Sequence, residues 1–291
     1  MVQCLKFQAN TPHARFHLLK FYNFLLLLLK SSLLAIAIRI ADLIRQRQKE
    51  NRRCVLGLAT GSTPIGIYDE LIRMHQDEGL SFKNVTTFNL DEYWPMNPSG
   101  PQSYHLFMRE QLFDHVDIDL SCTHVPDGMV SADGAAASCL AYEAKIRAAG
   151  GIDLQILGVG RTGHIGFNEP GSPRASRTRL IVLDRVTRND SASDFFGEEQ
   201  VPIRALTMGI GTILESKQII LMALGEAKAP IVAKLVEGPI SEQIPATFLQ
   251  AHPSVEVHLD RPAAAHLERE RTPWVSRSVD WTPTMIRQAV V

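Results

Sequence analysis

The segment Gly158–Gly171, GVGRTGHIGFNEPG, contains the residue types best suited to acid–base chemistry in this sequence. It places His164 and Glu169, a proton acceptor and a carboxylate, in one glycine-rich loop that follows an apolar segment. The loop also spells G-x-G-x-x-G with Asp184 about 20 residues further on, which is the pattern of a dinucleotide site. That pattern needs a helix that opens at its third glycine, and HIGFNEPGSP is not a helix-forming sequence. A nicotinamide cofactor is therefore disfavoured, which leaves a proton-transferring His164 or a structural histidine bonded to backbone.

A second candidate is the acidic pair Asp91 and Glu92 in the sequence FNLDEYWP. Paired acids at a strand end can serve only to solvate that end. The neighbouring side chains are apolar or aromatic, however, and burial among them raises the pKa of a carboxylate toward the range of a general base. The flanking residues are Phe88, Leu90, Tyr93 and Trp94.

Two further segments have the composition of anion sites at strand–helix junctions. Ala59–Pro64, ATGSTP, offers free backbone N–H groups and hydroxyls, although the same residues could serve only as a helix cap. Gly225–Lys228, GEAK, repeats the arrangement and adds a cation. Two such junctions at one sheet edge favour a phosphate ligand.

The elements that must position these residues are predicted from alternating apolar and amphipathic segments. Strands are predicted at Cys54–Ala59, Val85–Leu90, Ile152–Leu157, Thr178–Leu183, Lys217–Leu224 and Val255–Leu259. Helices are predicted from an N-cap at Thr63 to about Met74, over Tyr104–Phe113 and Ala135–Ala149, and from Ala227. The pattern indicates an α/β fold with an open, mostly parallel sheet and helices on both faces. Ligands bind such sheets at the carboxyl ends of the strands, where the candidate residues lie.

Composition limits the function classes. The chain has 291 residues, and 30 Lys and Arg balance 31 Asp and Glu, so nothing indicates a nucleic-acid partner. The four cysteines are scattered and form no C-x-x-C pair, which is typical of free thiols in a reducing cytoplasm and gives no metal-ligand cluster. The apolar segment Phe21–Ile40 is interrupted by Lys30 and continues into an amphipathic pattern, which favours a buried helix over a membrane anchor.

Several motifs together resemble the glucosamine-6-phosphate deaminase/isomerase family. They are LGLATGSTP, TFNLDEYWP followed by SYHLFM, LGVGRTGHIGFNEPGS, SRTR, ALTMGIGTIL and LGEAKA. The similarity runs in order over residues 32–267, so we expect one deaminase-like domain there, preceded by an atypical extension, 1–31. The tail, 268–291, resembles the junction to a deacetylase-like domain in longer chains.

The resemblance implies a Rossmann-like sheet and conversion of glucosamine 6-phosphate to fructose 6-phosphate and ammonia in amino-sugar catabolism, with no metal or other cofactor. It implies that Asp91 moves a proton between C2 and C1 of the sugar and that His164 opens the pyranose ring with help from Glu169. Gly61, Ser62, Thr63 and Lys228 would hold the phosphate. The expected ligand is a small amino-sugar phosphate, and a homo-oligomer is compatible with the family.

The sequence departs from the family at two positions. Thr162 stands where the ring-opening set has Asp or Asn, and Asp194 stands where a phosphate-binding arginine precedes Phe-Phe. An acid there repels phosphate unless it points away or a neighbour such as Arg188 substitutes for the arginine. These departures keep open one alternative, a non-catalytic sugar-phosphate-sensing module. A 6-phosphogluconolactonase-like hydrolase of the same fold is a second alternative, and the intact spacing of His164 and Glu169 argues against it.

Overall fold

The computed structural model describes residues 28–268 and two N-terminal segments, 3–7 and 17–19. The strands are β1 Gln3–Phe7, β2 His17–Leu19, β3 Cys54–Leu58, β4 Val85–Asn89, β5 Asp91–Trp94, β6 Thr123–His124, β7 Leu154–Leu157, β8 Arg179–Val182, β9 Arg204–Thr207, β10 Ile219–Ala223 and β11 Val255–Leu259. The helices are α1 Leu28–Lys49, α2 Ser62–Glu78, α3 Tyr104–Gln111, α4 Ala135–Ala148, α5 Arg185–Ser191, α6 Ile210–Leu214, α7 Ala229–Glu237 and α8 Arg261–Ala264.

The main sheet has the order β2-β1-β11-β10-β7-β3-β4-β6. Its six strands from β11 to β6 are parallel to one another, whereas β1 and β2 add antiparallel at one edge. Every residue of β3, β4 and β10 is buried, as expected when helices cover both faces of a parallel sheet. The prediction of an open, mostly parallel α/β sheet is confirmed.

A second sheet, which the sequence analysis did not predict, carries the acidic pair. It has the order β5-β9-β8 and is antiparallel, with Asp91 opposite Thr207. The predicted strand at Thr178–Leu183 exists as β8, but it belongs to this small sheet and not to the main one. A hydrophobic periodicity identifies a strand without identifying its partner, which explains the error. Leu90 is the one residue between β4 and β5, so the small sheet is joined directly to the main sheet.

Helix boundaries required three corrections. Thr63 is not an N-cap, because α2 begins at Ser62 after Gly61, whose φ of 88° turns the chain sharply out of β3. Helix α2 also continues past Met74 to Glu78 and ends at Gly79, which adopts the left-handed conformation. The helix predicted from Ala227 begins at Ala229, after one 3₁₀ turn.

Helix α1 covers the core with one apolar face. Its buried side chains are Ile36, Ala37, Ile40, Ala41 and Ile44. The spacing agrees with the prediction of a buried helix for this part of the apolar segment. Of the helices in the described residues, none is long and apolar enough to cross a membrane. The first part of that segment, 21–27, and the tail, 269–291, lie outside the described residues, so the predicted domain limits stay predictions.

Candidate active site

One cavity of about 780 Å³ lies at the carboxyl ends of the central strands. Its walls come from the segments that follow β3, β4 and β7 and from the end of β10. This is the sheet edge where the sequence analysis expected a ligand. Six of the eight predicted site residues line it: Gly61, Ser62, Thr63, Asp91, His164 and Lys228. The other two, Thr162 and Glu169, are not part of the wall and contact His164 instead.

Asp91 is a buried carboxylate that faces this cavity. It is 6% exposed and begins β5, immediately after the apolar Leu90. Burial, and then the charge of Glu92, raises the pKa of Asp91 to about 8. Gly166 lies alongside, and a Cβ at that position would be 3.4 Å from the Asp91 Oδ2 atom. The expectation that the apolar surroundings raise the pKa of one acid of the pair is therefore met by Asp91, which becomes suited to proton transfer near neutral pH.

Glu92 serves a different purpose at the start of α3. Its carboxylate accepts hydrogen bonds from the Ser103 hydroxyl at 2.8 Å and from the backbone N–H groups of Tyr104 and His105 at 3.1 and 3.2 Å. Burial raises the pKa of Glu92, and these hydrogen bonds oppose the rise. Because the first N–H groups of a helix lack partners within the helix, Glu92 anchors α3 against β5. The two adjacent acids thus separate into a cavity group and a structural group.

His164 is oriented through its Nδ1 atom. The Thr162 hydroxyl lies 2.9 Å from Nδ1, and Glu169 Oε2 and the Thr187 hydroxyl each lie 3.3 Å from it. Burial favours a raised pKa for Glu169, but the hydrogen bond and charge of His164, together with hydrogen bonds from Thr187 and the Asp184 backbone, outweigh it, and the pKa of Glu169 lies below its usual value. Gly160 packs flat against the ring, because a Cβ there would lie 2.1 Å from it. These contacts hold His164 at the cavity wall.

The start of α2 and Lys228 also line the cavity. Gly61 has no side chain to satisfy the N–H groups of the first turn, and no side-chain cap forms there. Those groups and the partial positive charge of the helix N-terminus suit an anion. Lys228 donates from Nζ to the Val159 carbonyl at 2.9 Å, and burial lowers its pKa. The cavity wall therefore combines one cation with a helix N-terminus.

Several residues of the wall were missed by the sequence analysis. They are Tyr93, Tyr104, Thr187, Asp190, Ser191 and Phe195. The two tyrosine rings pack 5.2 Å apart, measured between centroids. The other four lie on α5 and the segment after it, where the sequence has no apolar periodicity that would predict a cavity wall. Only the position of Asp194, before the two phenylalanines, called attention to this region.

Asp194 is among the residues that line the cavity. Arg188, which the sequence analysis offered as a substitute for the expected arginine, is not part of the wall and lies 3.6 Å from Glu198. The suggestion about Arg188 was therefore wrong, because α5 turns this side chain toward the following segment. Across residues 28–268, no three His, Cys, Asp or Glu side chains are grouped so as to hold a metal ion.

Thr207 connects the strand that carries Asp91 with the loop that carries His164. It lies opposite Asp91 in the β5–β9 register, and its hydroxyl accepts a hydrogen bond at 3.0 Å from the backbone N–H of Phe167. Phe167 belongs to the same loop as His164 and Glu169. The loop and the strand that carries Asp91 are thus held at a fixed spacing.

Two relatives are similar to most of this chain. The "Glucosamine-6-phosphate deaminase" of Hahella chejuensis is 54% identical over 214 residues, which are 74% of this chain and 81% of that protein. The "Putative glucosamine-6-phosphate deaminase-like protein" of Bacteroides thetaiotaomicron is 46% identical over 256 residues, which are 88% of this chain. The chain spans only 39% of the length of the Bacteroides relative.

Solved structures divide into two groups. A structure described as "a monomeric glucosamine-6-phosphate deaminase" superposes with a TM-score of 0.76 at 47% identity, covering 80% of this chain and 95% of its own. The 6-phosphogluconolactonase of Trypanosoma brucei gives 0.63 at 22% identity over 81% of this chain and 95% of its own, which shows a shared fold alone. A family model described as "Glucosamine-6-phosphate isomerases/6-phosphogluconolactonase" matches residues 30–258. The chain therefore belongs to the glucosamine-6-phosphate isomerase/6-phosphogluconolactonase family.

Proposed function

We propose that this chain is a glucosamine-6-phosphate deaminase, which converts glucosamine 6-phosphate to fructose 6-phosphate and ammonia. The observation that carries the proposal is the buried Asp91 carboxylate, which faces the same cavity as His164 and an anion-binding helix start. Relatives 46–54% identical are named for this deaminase activity, whereas the lactonases of similar fold are 14–22% identical. The deaminase is accordingly preferred over a lactonase.

Ring opening is the step we assign to His164. Thr162, Glu169 and Thr187 surround Nδ1, which leaves Nε2 as the nitrogen available to a substrate. The imidazole takes the proton of the sugar O1 hydroxyl and returns it to the ring oxygen O5, which breaks the C1–O5 bond and produces an aldehyde. Glu169, whose pKa lies below the usual value, stabilises the imidazolium in between. Thr162 and Thr187 hold the ring in place.

Proton transfer between carbons is the step we assign to Asp91. The C1 aldehyde acidifies the C2 proton, and Asp91 removes that proton while the substrate ammonium group gives one proton to O1, which forms an enolamine. Asp91 then delivers its proton to C1. The imine left at C2 reacts with water, which releases ammonia and forms the ketone of fructose 6-phosphate. With a pKa of about 8, Asp91 in the empty site holds its proton at pH 7, but the ammonium group of the incoming amino sugar favours the carboxylate.

The 6-phosphate is assigned to the start of α2 and to Lys228. The backbone N–H groups of Gly61, Ser62 and Thr63 bind the phosphate oxygens, and Lys228 contributes a positive charge. These groups support a sugar phosphate over an unphosphorylated sugar. Cys54 and Cys139, which are buried free thiols, are compatible with the cytoplasmic location in which such phosphates are metabolised.

A sensing module without catalysis is the competing proposal, and one assay separates the two. Purified protein is incubated with glucosamine 6-phosphate, and ammonia and fructose 6-phosphate are measured, with glucosamine as the matched control. We expect both products from the phosphorylated substrate only, with activity retained in the presence of a chelator. Tight binding of glucosamine 6-phosphate without either product would favour the sensing module. Activity lost with chelator and restored by a divalent ion would contradict the cofactor-free mechanism.

A further inference from the structure

The cavity wall carries negative charge that opposes the binding of a phosphate. Asp190 lines the cavity close enough to Lys228 to act on its charge, Asp194 lines the same cavity, and in the described chain Lys228 is the only lysine or arginine in the wall. A phosphate monoester has a charge of about −1.5 to −2 at pH 7. One lysine and a helix N-terminus therefore share the cavity with carboxylates that repel this ligand. A second cation is needed to make this site attractive to a dianion.

Arg161 is positioned to supply that cation. It follows Gly160, a residue of the cavity wall, and its guanidinium forms a two-point contact with the Asp190 carboxylate. The Nε–Oδ2 distance is 2.9 Å, and Nη2 contacts the other oxygen. Because Asp190 lines the cavity, the guanidinium is bonded directly to a residue of the cavity wall. Both charges also act on Lys228: burial, the largest effect, lowers the pKa of this lysine, Asp190 raises it and Arg161 lowers it further.

The Arg161–Asp190 pair is exposed enough to exchange partners. The arginine side chain is 49% exposed and the aspartate side chain 35%. Ion pairs at such exposure contribute little stability, since water already solvates both charges. A phosphate dianion matches the planar donors of a guanidinium at two oxygens, as a carboxylate does, but with a greater charge. Asp190, once released, is accessible to water.

We propose that Arg161 is the second phosphate-binding cation of this chain, held at the cavity rim by Asp190 and transferred from that carboxylate to the substrate phosphate on binding. This inference rests on the proposed function, and it extends the phosphate site beyond Lys228 and the helix start. It also assigns a role to a residue that the motif analysis passed over.

The test is a mutant cycle read by phosphate binding as well as by activity. The dissociation constant of inorganic phosphate is measured calorimetrically for the parent, R161A, R161K, D190N and the R161A/D190N double variant. We expect R161A to weaken phosphate binding and raise KM by about 10- to 100-fold, with little change in kcat. R161K keeps the charge but loses the planar donors, so its affinity for phosphate should lie between those of the parent and R161A. D190N frees Arg161 and tightens phosphate binding.

The double variant decides between contact and charge neutralisation. If Arg161 touches the phosphate, R161A weakens binding in the D190N background as well. If R161A has no effect once Asp190 is neutral, Arg161 only screens that carboxylate and the proposal is wrong. Equal phosphate binding by the parent and R161A overturns it directly.

The matched control is R185A, which removes an arginine with an 85% exposed side chain from the same region of the surface. It changes the net charge equally and should leave phosphate binding within about twofold of the parent. Failure of the proposed function is distinguished by the parent itself. A parent that releases no ammonia but loses phosphate affinity on R161A refutes the deaminase and keeps this inference.

Discussion

Replacing Asp91 with Asn should show separately how much this carboxylate contributes to catalysis and how much its burial destabilises the folded protein. The pKa of Asp91 is about 8 in the folded chain, against an ordinary value of 3.8. Between these two values the folded protein holds a proton that the unfolded chain releases, so stability falls as the pH rises. The slope is about 1.4 kcal/mol per pH unit, and the loss accumulated by pH 8 is on the order of 5 kcal/mol. D91N removes the titrating group and therefore this slope.

Urea unfolding at pH 5, 6 and 7 measures the effect, because all other titrating groups are shared between the two proteins. The free energy of unfolding of D91N relative to the parent should rise by about 3 kcal/mol between pH 5 and pH 7. D69N, which removes an exposed carboxylate from α2, is the matched control and should follow the parent. The variant should also lose exchange of the substrate C2 proton with solvent while it still binds glucosamine 6-phosphate. Parallel stability curves for D91N and the parent would refute the reasoning from burial, and exchange at the parent rate would make Asp91 structural.

Three further substitutions test the surroundings of the two reacting groups. G160A should lower kcat by about 10²-fold or more, because its methyl group displaces the His164 ring. Steady-state kinetics measure the loss of activity, and a thermal melt checks that the loss of stability is far smaller. T162V should lower kcat about tenfold through loss of the hydroxyl on Nδ1 while T162S stays near the parent, and equal rates for all three proteins would exclude positioning by Thr162. E92Q should lower the melting temperature, because it weakens the hydrogen bonds that anchor α3. It should also shift the rise of kcat/KM with pH toward lower pH, because the Glu92 charge that helps to raise the pKa of Asp91 is gone. An unchanged pH profile would contradict that coupling.

Much of the main sheet could be predicted because its strands are fully buried. Five consecutive apolar or small residues in β3 and β10 are recognisable without knowing their neighbours. The small sheet was missed because β5 reads DEYW, which combines two acids with two aromatics and has no apolar alternation. Its burial depends on the aromatic contacts of Tyr93 with Tyr104, Phe167 and Phe195, which lie far apart in the sequence.

The site was predictable to the extent that its chemistry is local. His164, Thr162 and Glu169 fall within one loop, so their mutual contacts follow from a short stretch of chain. Thr187 completes the same cluster from α5, and no local pattern marks it. The division between Asp91 and Glu92 was equally hidden, because it depends on where α3 begins in space.

The direct junction at Leu90 ties the position of Asp91 to the main sheet. Asp91 belongs to the small sheet, and only Leu90 separates the strands of the two sheets. The Leu90 carbonyl also accepts a hydrogen bond at 2.6 Å from the N–H of Met208, the residue that follows β9, which fixes the junction from the other side. A connection of one residue leaves no slack, so Asp91 cannot shift relative to the carboxyl ends of the main sheet without straining the chain at Leu90 or breaking this hydrogen bond.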